Sequence, residues 1–226
     1  MRGTSQIQLV DAEIVLEYLS AMDTRFKYPR TFHLPWSPGL TKDDKRIESL
    51  EGFLGREVVV TEKMDGENST LYPDGHIHAR SMDSVITYSR TWLKAWWNER
   101  AYLLDPSLRI CGEDLFAQHS IKYEGLGSYF RGFSVWEGLQ CLSWDETLLW
   151  FEELRIQPVK TLYRGIWDED VIMAIDATEW REGYVVRVTD SFHRDEFKKF
   201  AAKYVRANHV QTDERWDEGV IVKNGL

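Results

Sequence analysis

The sequence predicts an α+β fold with largely antiparallel sheets. Three observations carry that reading. Short segments rich in β-formers recur along the chain, two of them joined by a tight hairpin turn. Amphipathic helical segments are mixed in among the hairpins. No Pro-, Gly- or Ser-rich linker interrupts the 226 residues. A single domain over residues 1–226 is therefore expected, with no separate C-terminal domain.

The elements follow in order. Asp11–Met22 predicts a helix, with Asp11 as N-cap and Val15, Leu19 and Met22 on one face. The stretch YPRTFHLPWSPG, Tyr28 to Gly39, holds three prolines and a glycine, which excludes a regular element. Its Arg30, His33 and Trp36 suit either ligand contact or a cover over the core. Glu57–Glu62 (EVVVTE) reads as a strand running into KMDGEN. A hairpin follows: STLY, a turn at Pro73-Asp74-Gly75, then HIHARS. Ser89–Leu104 predicts a helix whose Trp92, Trp96 and Leu103 share a face, beside Leu93, Trp97 and Leu104; this stripe reads as core. Leu108–Phe116 and Gly132–Glu137 read as strands, and Trp144–Leu154 as an amphipathic helix. Glu182–Val188 and Lys198–Val205 complete the set as strands.

Composition excludes some functions. No apolar run is long enough to cross a bilayer, and the N-terminus has no apolar signal region. Cys111 and Cys141 lack CxxC partners, so reduced thiols and a cytoplasmic location are expected. The net charge of −9 argues against binding nucleic acid by bulk attraction. A local basic groove is still available from Arg194, Lys198, Lys199, Lys203 and Arg206, which also fit a solvated face. His76 and His78 have the spacing of two metal ligands, but a zinc site needs a third and fourth.

The chemistry concentrates in Glu62-Lys63-Met64-Asp65-Gly66-Glu67-Asn68. A strand ends in a lysine beside carboxylates, and a glycine turn follows. Carboxylates keep a lysine protonated and so poorly nucleophilic. A nucleophilic Lys63 therefore needs a cation nearby, which the same carboxylates could hold. Taken alone, the heptapeptide also fits a mixed-charge surface turn.

KMDG resembles the Lys-x-Asp-Gly signature of the covalent nucleotidyltransferases: DNA ligases, RNA ligases and mRNA capping enzymes. Further motifs stand in the family's order: Arg80-Ser81 after the hairpin, Gly112-Glu113 in a strand, Phe133-Ser134-Val135, Glu182-Gly183-Tyr184-Val185-Val186, and a lysine-bearing strand around Lys203. The likeness spans residues 63 to 203. Glu62-Lys63-x-x-Gly66-x-Asn68 and EGYVV are similar to the RNA ligase 2 and RNA-editing ligase branch. The flanking YPRTFHLPWSPG and KYVRANHVQTDERW are similar to small bacterial and phage RNA ligase-like proteins.

The resemblance implies a nucleotidyltransferase (ATP-grasp-like ligase) domain and a role for each matching residue. Lys63 attacks the α-phosphate of ATP, giving lysyl-AMP. Glu62 contacts the adenine, Arg80 a phosphate or the ribose, and Glu113 a ribose hydroxyl. Phe133 stacks on the base, with Phe130 as the alternative, and Val185 closes its other face. Glu182 acts near a Mg²⁺ or Mn²⁺ ion, with Asp65 as a second metal residue. Lys203 neutralises the α-phosphate. Asn68 and Arg206 are assigned to the RNA. Apart from the resemblance, His209 follows the basic strand, a place that suits either a phosphate contact or an ordinary polar residue.

Two departures from the family pattern stand out. Its Lys-x-Lys motif is Ala201-Ala202-Lys203 here, and Lys199 is the candidate substitute on the same strand face. Glu182 and Val185, three apart, would face opposite ways on an ideal strand unless Gly183 breaks the alternation. The short stretch after Lys203 implies a minimal ligase, one that adenylylates itself but seals poorly, or one that needs an accessory protein. The expected partner is RNA with 3′-OH and 5′-phosphate ends. The competing readings are a GTP-using capping-type transferase and a non-catalytic module that binds RNA ends.

Overall fold

The computed structural model describes residues 25–42, 44–82, 88–175, 178, 180–209 and 221–226. The expected helix over Asp11–Met22 lies outside them. The strands are β1 (Phe32–His33), β2 (Glu57–Lys63), β3 (Glu67–Leu71), β4 (Ile77–Ala79), β5 (Leu108–Asp114) and β6 (Phe130–Glu137). They continue with β7 (Gln140–Cys141), β8 (Gln157–Pro158), β9 (Thr161–Ile166), β10 (Gly183–Val188), β11 (Phe192–His193) and β12 (Ala201–Val205). The helices are α1 (Thr91–Asn98), α2 (Trp144–Glu153), α3 (Glu169–Met173) and α4 (Phe197–Phe200).

The strands form two sheets. The first has five, in the order β1-β12-β10-β2-β9. The second has seven, in the order β11-β7-β6-β5-β3-β4, with β8 beside β6. Among the described strands only β1–β12 and β6–β8 pair in parallel, so the α+β, mainly antiparallel expectation holds.

Burial explains the arrangement. Val58, Val59 and Val60 of β2 are all fully buried, so this strand is covered on both faces. Val58 and Val60 belong to a cluster with Tyr184, Val186, Ala202, Phe53 and Trp167. Val59 faces the other way, packing with Leu115, Trp144 and Val159. Behind the second sheet, Leu93 and Trp97 of α1 join Phe151 of α2, Leu71, Ile110, Phe130 and Val135. Ser143 closes a capping box with Glu146, which fixes the start of α2 where Trp144 turns inward.

Several expectations need correction. Phe32–His33 forms a short strand despite the surrounding prolines, because β12 offers a free edge to pair with. The expected helix over Ser89–Leu104 is three pieces: α1 is flanked by 3₁₀ turns at Tyr88–Arg90 and Ala101–Leu103. Leu103 is exposed, not core. Lys198–Phe200 is helical, not extended. Phe197 and Phe200 lie three apart and both pack inward, which needs a helical turn.

Gly183 aligns with Lys63 in β2 and Val205 in β12. A Cβ there would stand 1.9 Å from the Tyr204 carbonyl oxygen. Gly183→Ala must therefore push two strands apart. An overpacking loss of about 3 kcal/mol is expected, read as a lower midpoint in denaturant unfolding with an unchanged slope.

Candidate active site

A cavity of about 250 Å³ lies between the two sheets. The first sheet lines it with Thr61, Lys63, Val185 and Lys203; the second with Asn68, Glu113, Phe133 and Ser134. Register makes this wall. Thr61 pairs with Val185, and Val185 with Lys203, so three consecutive strands present one row. In the next row Gly183 sits beside Lys63, leaving space over the lysine. Glu182 also lines the cavity, because it precedes β10 and is not bound by the strand's alternation. Glu182 and Val185 thus reach one cavity.

Lys63 Nζ donates to Glu182 Oε2 at 2.6 Å, and the Glu182 side chain is 3% exposed. Burial alone would lower the Lys63 pKa, but Glu182, Glu113 and Asp65 outweigh it and hold the ammonium above its ordinary range. Burial pushes Glu113 up to about 8, with Glu182 and Asp65 adding to the rise against the attraction of Lys63. Asp65 stays below the ordinary carboxylate range. Burial would raise it, but His209 and the Ile121 amide, which donates at 2.8 Å, prevail. Nearby, Asp114 is pushed up to about 7 by burial.

Lys203 occupies the next strand of the row. Burial, with Lys63 nearby, pushes its pKa down despite Asp44. Asp44 lies 3.3 Å from Lys203 Nζ and 3.3 Å from His33 Nε2. His33 Nδ1 meets Ser37 Oγ at 2.8 Å, and Ser37 Oγ accepts from the Val205 amide at 2.9 Å. The proline-rich stretch therefore clamps β12 at the lysine.

The sequence-nominated residues divide into two groups. Glu62, Lys63, Asn68, Arg80, Glu113, Phe133, Glu182, Val185 and Lys203 all line the cavity. Phe133, not Phe130, faces it; Phe130 is fully buried in the cluster behind the second sheet. Asp65 lies outside the lining but touches the cavity's carboxylates through His209, whose Nε2 is 3.6 Å from Asp65 Oδ1 and 3.7 Å from Glu182 Oε1. Lys199 is displaced. It sits on α4, 68% exposed and 4.0 Å from Glu196, because the strand begins only at Ala201. Arg206 is also outside the lining; its Nε donates to the Arg181 carbonyl at 3.1 Å. His78 is buried against Tyr72 and the Ala79 carbonyl rather than in a metal cluster. The sequence reading missed Tyr28, Arg187 and Phe197, which also line the cavity. Tyr28 and Phe197 showed only aromatic character, which core residues share, and Arg187 only a charge within a run of β-formers.

Two features fit a nucleotide and a divalent cation. Asn68 Oδ1 is buried and makes no hydrogen bond among the described residues, so it suits a polar ligand. Asp65, Glu182 and His209 present ligand atoms within 4.8 Å of one another.

The RNA ligase family model matches residues 56–205, well over half of the chain. The chain belongs to the RNA ligase family. Among solved structures, it is similar to an apo variant of Naegleria gruberi RNA ligase, at 20% identity and a TM-score of 0.53. That match covers 81% of this chain and 62% of the other. A Naegleria gruberi RNA ligase variant with ATP and Mn matches at 20% identity and a TM-score of 0.51, over 81% of this chain and 63% of that one. An archaeal ATP-dependent RNA ligase matches at 17% identity and a TM-score of 0.54, over 80% of this chain and 48% of that one. This RNA ligase family member thus spans less than two thirds of the Naegleria chains and about half of the archaeal chain. No curated protein matches it by sequence. Among its described residues no helix is long and apolar enough to cross a membrane.

The shift on Glu113 gives this RNA ligase family member a pH signature. Its folded pKa of about 8 lies above the ordinary 4.5 of a glutamate. The folded state therefore holds the proton more tightly, and this contribution to stability is lost as pH rises through that window. Glu113→Gln, a neutral mimic of the protonated acid, should stabilise the fold at pH 8.5 and have little effect at pH 4. Melting temperatures of both proteins across that range check it.

Proposed function

We propose that this chain is an ATP-dependent RNA ligase that seals 3′-OH and 5′-phosphate ends through a lysyl-AMP intermediate. The observation that carries the reading is Lys63, its amine 2.6 Å from Glu182, in a cavity with Lys203 on the same wall.

Each step can be written in this chain's own residues. The Lys63 amine attacks the α-phosphorus of ATP; a P–N bond forms and the bond to pyrophosphate breaks. Its proton leaves toward Glu182, the nearest carboxylate. Lys203 and Arg80 supply positive charge to the phosphates, and in-line positioning does most of the remaining work. Phe133 and Val185 hold the base between the sheets, with Glu62 and Glu113 contacting the adenine and ribose. A 5′-phosphate oxygen of the RNA then attacks the AMP phosphorus and releases Lys63. The 3′-OH attacks the activated 5′-phosphorus and AMP departs. Asp65 and Glu182 would hold a Mg²⁺ or Mn²⁺ ion, whose chemistry is to neutralise phosphate charge. Asn68 serves the later steps on RNA. Both cysteines are buried thiols, as suits a cytoplasmic enzyme of RNA repair.

The test is incubation with divalent metal and α-labelled ATP, then separately with α-labelled GTP. Label from ATP that survives denaturation supports the ligase reading. Label from GTP alone would select the capping-type reaction. RNA binding with no covalent nucleotide would leave only a module for RNA ends. Sealing is tested on nicked duplexes with ribose or deoxyribose on each side of the break, with and without cell extract as a source of an accessory protein.

A further inference from the structure

Residues 115–129 join β5 to β6 with no helix or strand of their own. Connections that long are usually either functional or disordered. This one is held by residues 221–226, which lie along it. Gln118 donates its amide to the Val222 carbonyl at 2.8 Å, Gly225 to that of Tyr123 at 2.9 Å, and Leu126 to that of Gly225 at 3.1 Å. Asn224 is the centre of the clasp, and it is 3% exposed. Its Oδ1 accepts from the Tyr123 amide at 2.9 Å; its Nδ2 donates to the carbonyls of Leu115 at 2.8 Å and Ala117 at 3.4 Å. An N–H on one side and two carbonyls on the other fix the orientation of its amide. The loop in turn grips the residues after the nucleophile. Lys63 ends β2 and β3 begins at Glu67, so residues 64–66 lie between the two strands. Tyr123 Oη accepts from the Asp65 amide at 2.9 Å, and the Ile121 amide donates to Asp65 Oδ2 at 2.8 Å. Met64 packs with Leu115, Leu126, Tyr123 and Tyr129.

We propose that Asn224 is a positioning residue for AMP attachment: by fixing Tyr123 it holds the turn after Lys63, and so keeps the amine in line for attack. Its effect on the chemistry rests on the ligase reading; the hold itself does not. A reacting group displaced by about 1 Å costs about 10²-fold in rate. Nucleotide binding is largely spared, because Phe133 and Val185 stand on β6 and β10, outside the loop.

Two measurements on the full chain test it. The first is amide hydrogen exchange without nucleotide. Asn224→Ala and Tyr123→Phe should each speed exchange at Asp65 by at least about tenfold and leave the β2 ladder amides unchanged. The second is the single-turnover rate of AMP attachment from α-labelled ATP. Each variant should lose about 10- to 10²-fold at saturating ATP, while the ATP concentration for half-maximal rate barely moves. The double variant should be no slower than the slower single one, since both act through one chain of contacts. Unchanged exchange at Asp65 in either variant would overturn the proposal, as would rate losses that multiply in the double variant, or faster exchange throughout β2. If Asn224→Ala does not fold, the wild type still decides. The amides of Tyr123, held by Asn224, and of Asp65, held by Tyr123, should then open as one unit with matching protection; clearly unequal protection would count against the clasp. If the wild type takes no label, the ligase reading fails and exchange at Asp65 alone decides the hold.

Discussion

Replacing Lys63 with alanine should abolish covalent nucleotide, a loss of at least 10⁴-fold in label recovered after denaturation, because no neighbouring amine can take its place. Lys203 is on the same wall, but it stands two strands away in the neighbouring row and is tied to Asp44 at 3.3 Å. The same change removes the cation that compensates Glu182, 3% exposed, and Glu113. Uncompensated buried carboxylates are costly. Lys63→Ala should therefore lose stability as well as label, and more at high pH than at low. Lys63→Arg separates the two effects: it restores the charge and with it most of the stability, but attaches no AMP. Labelling and thermal melting of both variants check this. AMP attached to Lys63→Arg would mean that another residue is the nucleophile.

Glu182→Gln should produce two opposite changes. Adenylylation at saturating ATP and metal should fall about 10²- to 10³-fold, the usual cost of removing a group that takes a proton in the transition state. Yet Glu182 is the strongest of the carboxylates that raise the Lys63 pKa. Neutralising it lowers that pKa, so more of the amine is unprotonated at a given pH. Metal-free modification of Lys63 by an amine-directed reagent should become faster and its pH midpoint should drop. Peptide mapping of modified Lys63 across pH measures this. A midpoint unchanged or higher would mean that Glu113 and Asp65, not Glu182, control the lysine.

The sequence made strands such as EVVVTE and EGYVV legible because β-branched residues cluster there and have to be buried. It did not reveal β9, whose residues Thr161–Ile166 are largely exposed and show no alternation; it is an edge strand held by the β2 ladder. The two-residue strands carry no period to detect. The Lys198–Phe200 error had a visible signal, Phe197 and Phe200 three apart, but β-formers around Tyr204 outweighed it. At the site, the residues on regular strands fell on the two sheets' cavity walls because register is set by the long ladders. Lys199 and Arg206 were misjudged because they lie just before and just after β12, where face no longer follows from sequence position. His209 follows β12, and only the folded chain shows the two acids it meets.

The pairing of Lys63 with Glu182 spans 119 residues of chain. No local segment can make it. It exists only once β10 has zipped against β2, a contact of high sequence separation that is slow to form. On a ribosome, Lys63 emerges long before Glu182. A growing chain would hold an inert lysine until the second half of the first sheet arrives. Competence to take up AMP would then switch on late and abruptly, making nucleotide attachment a clock for completion of this sheet.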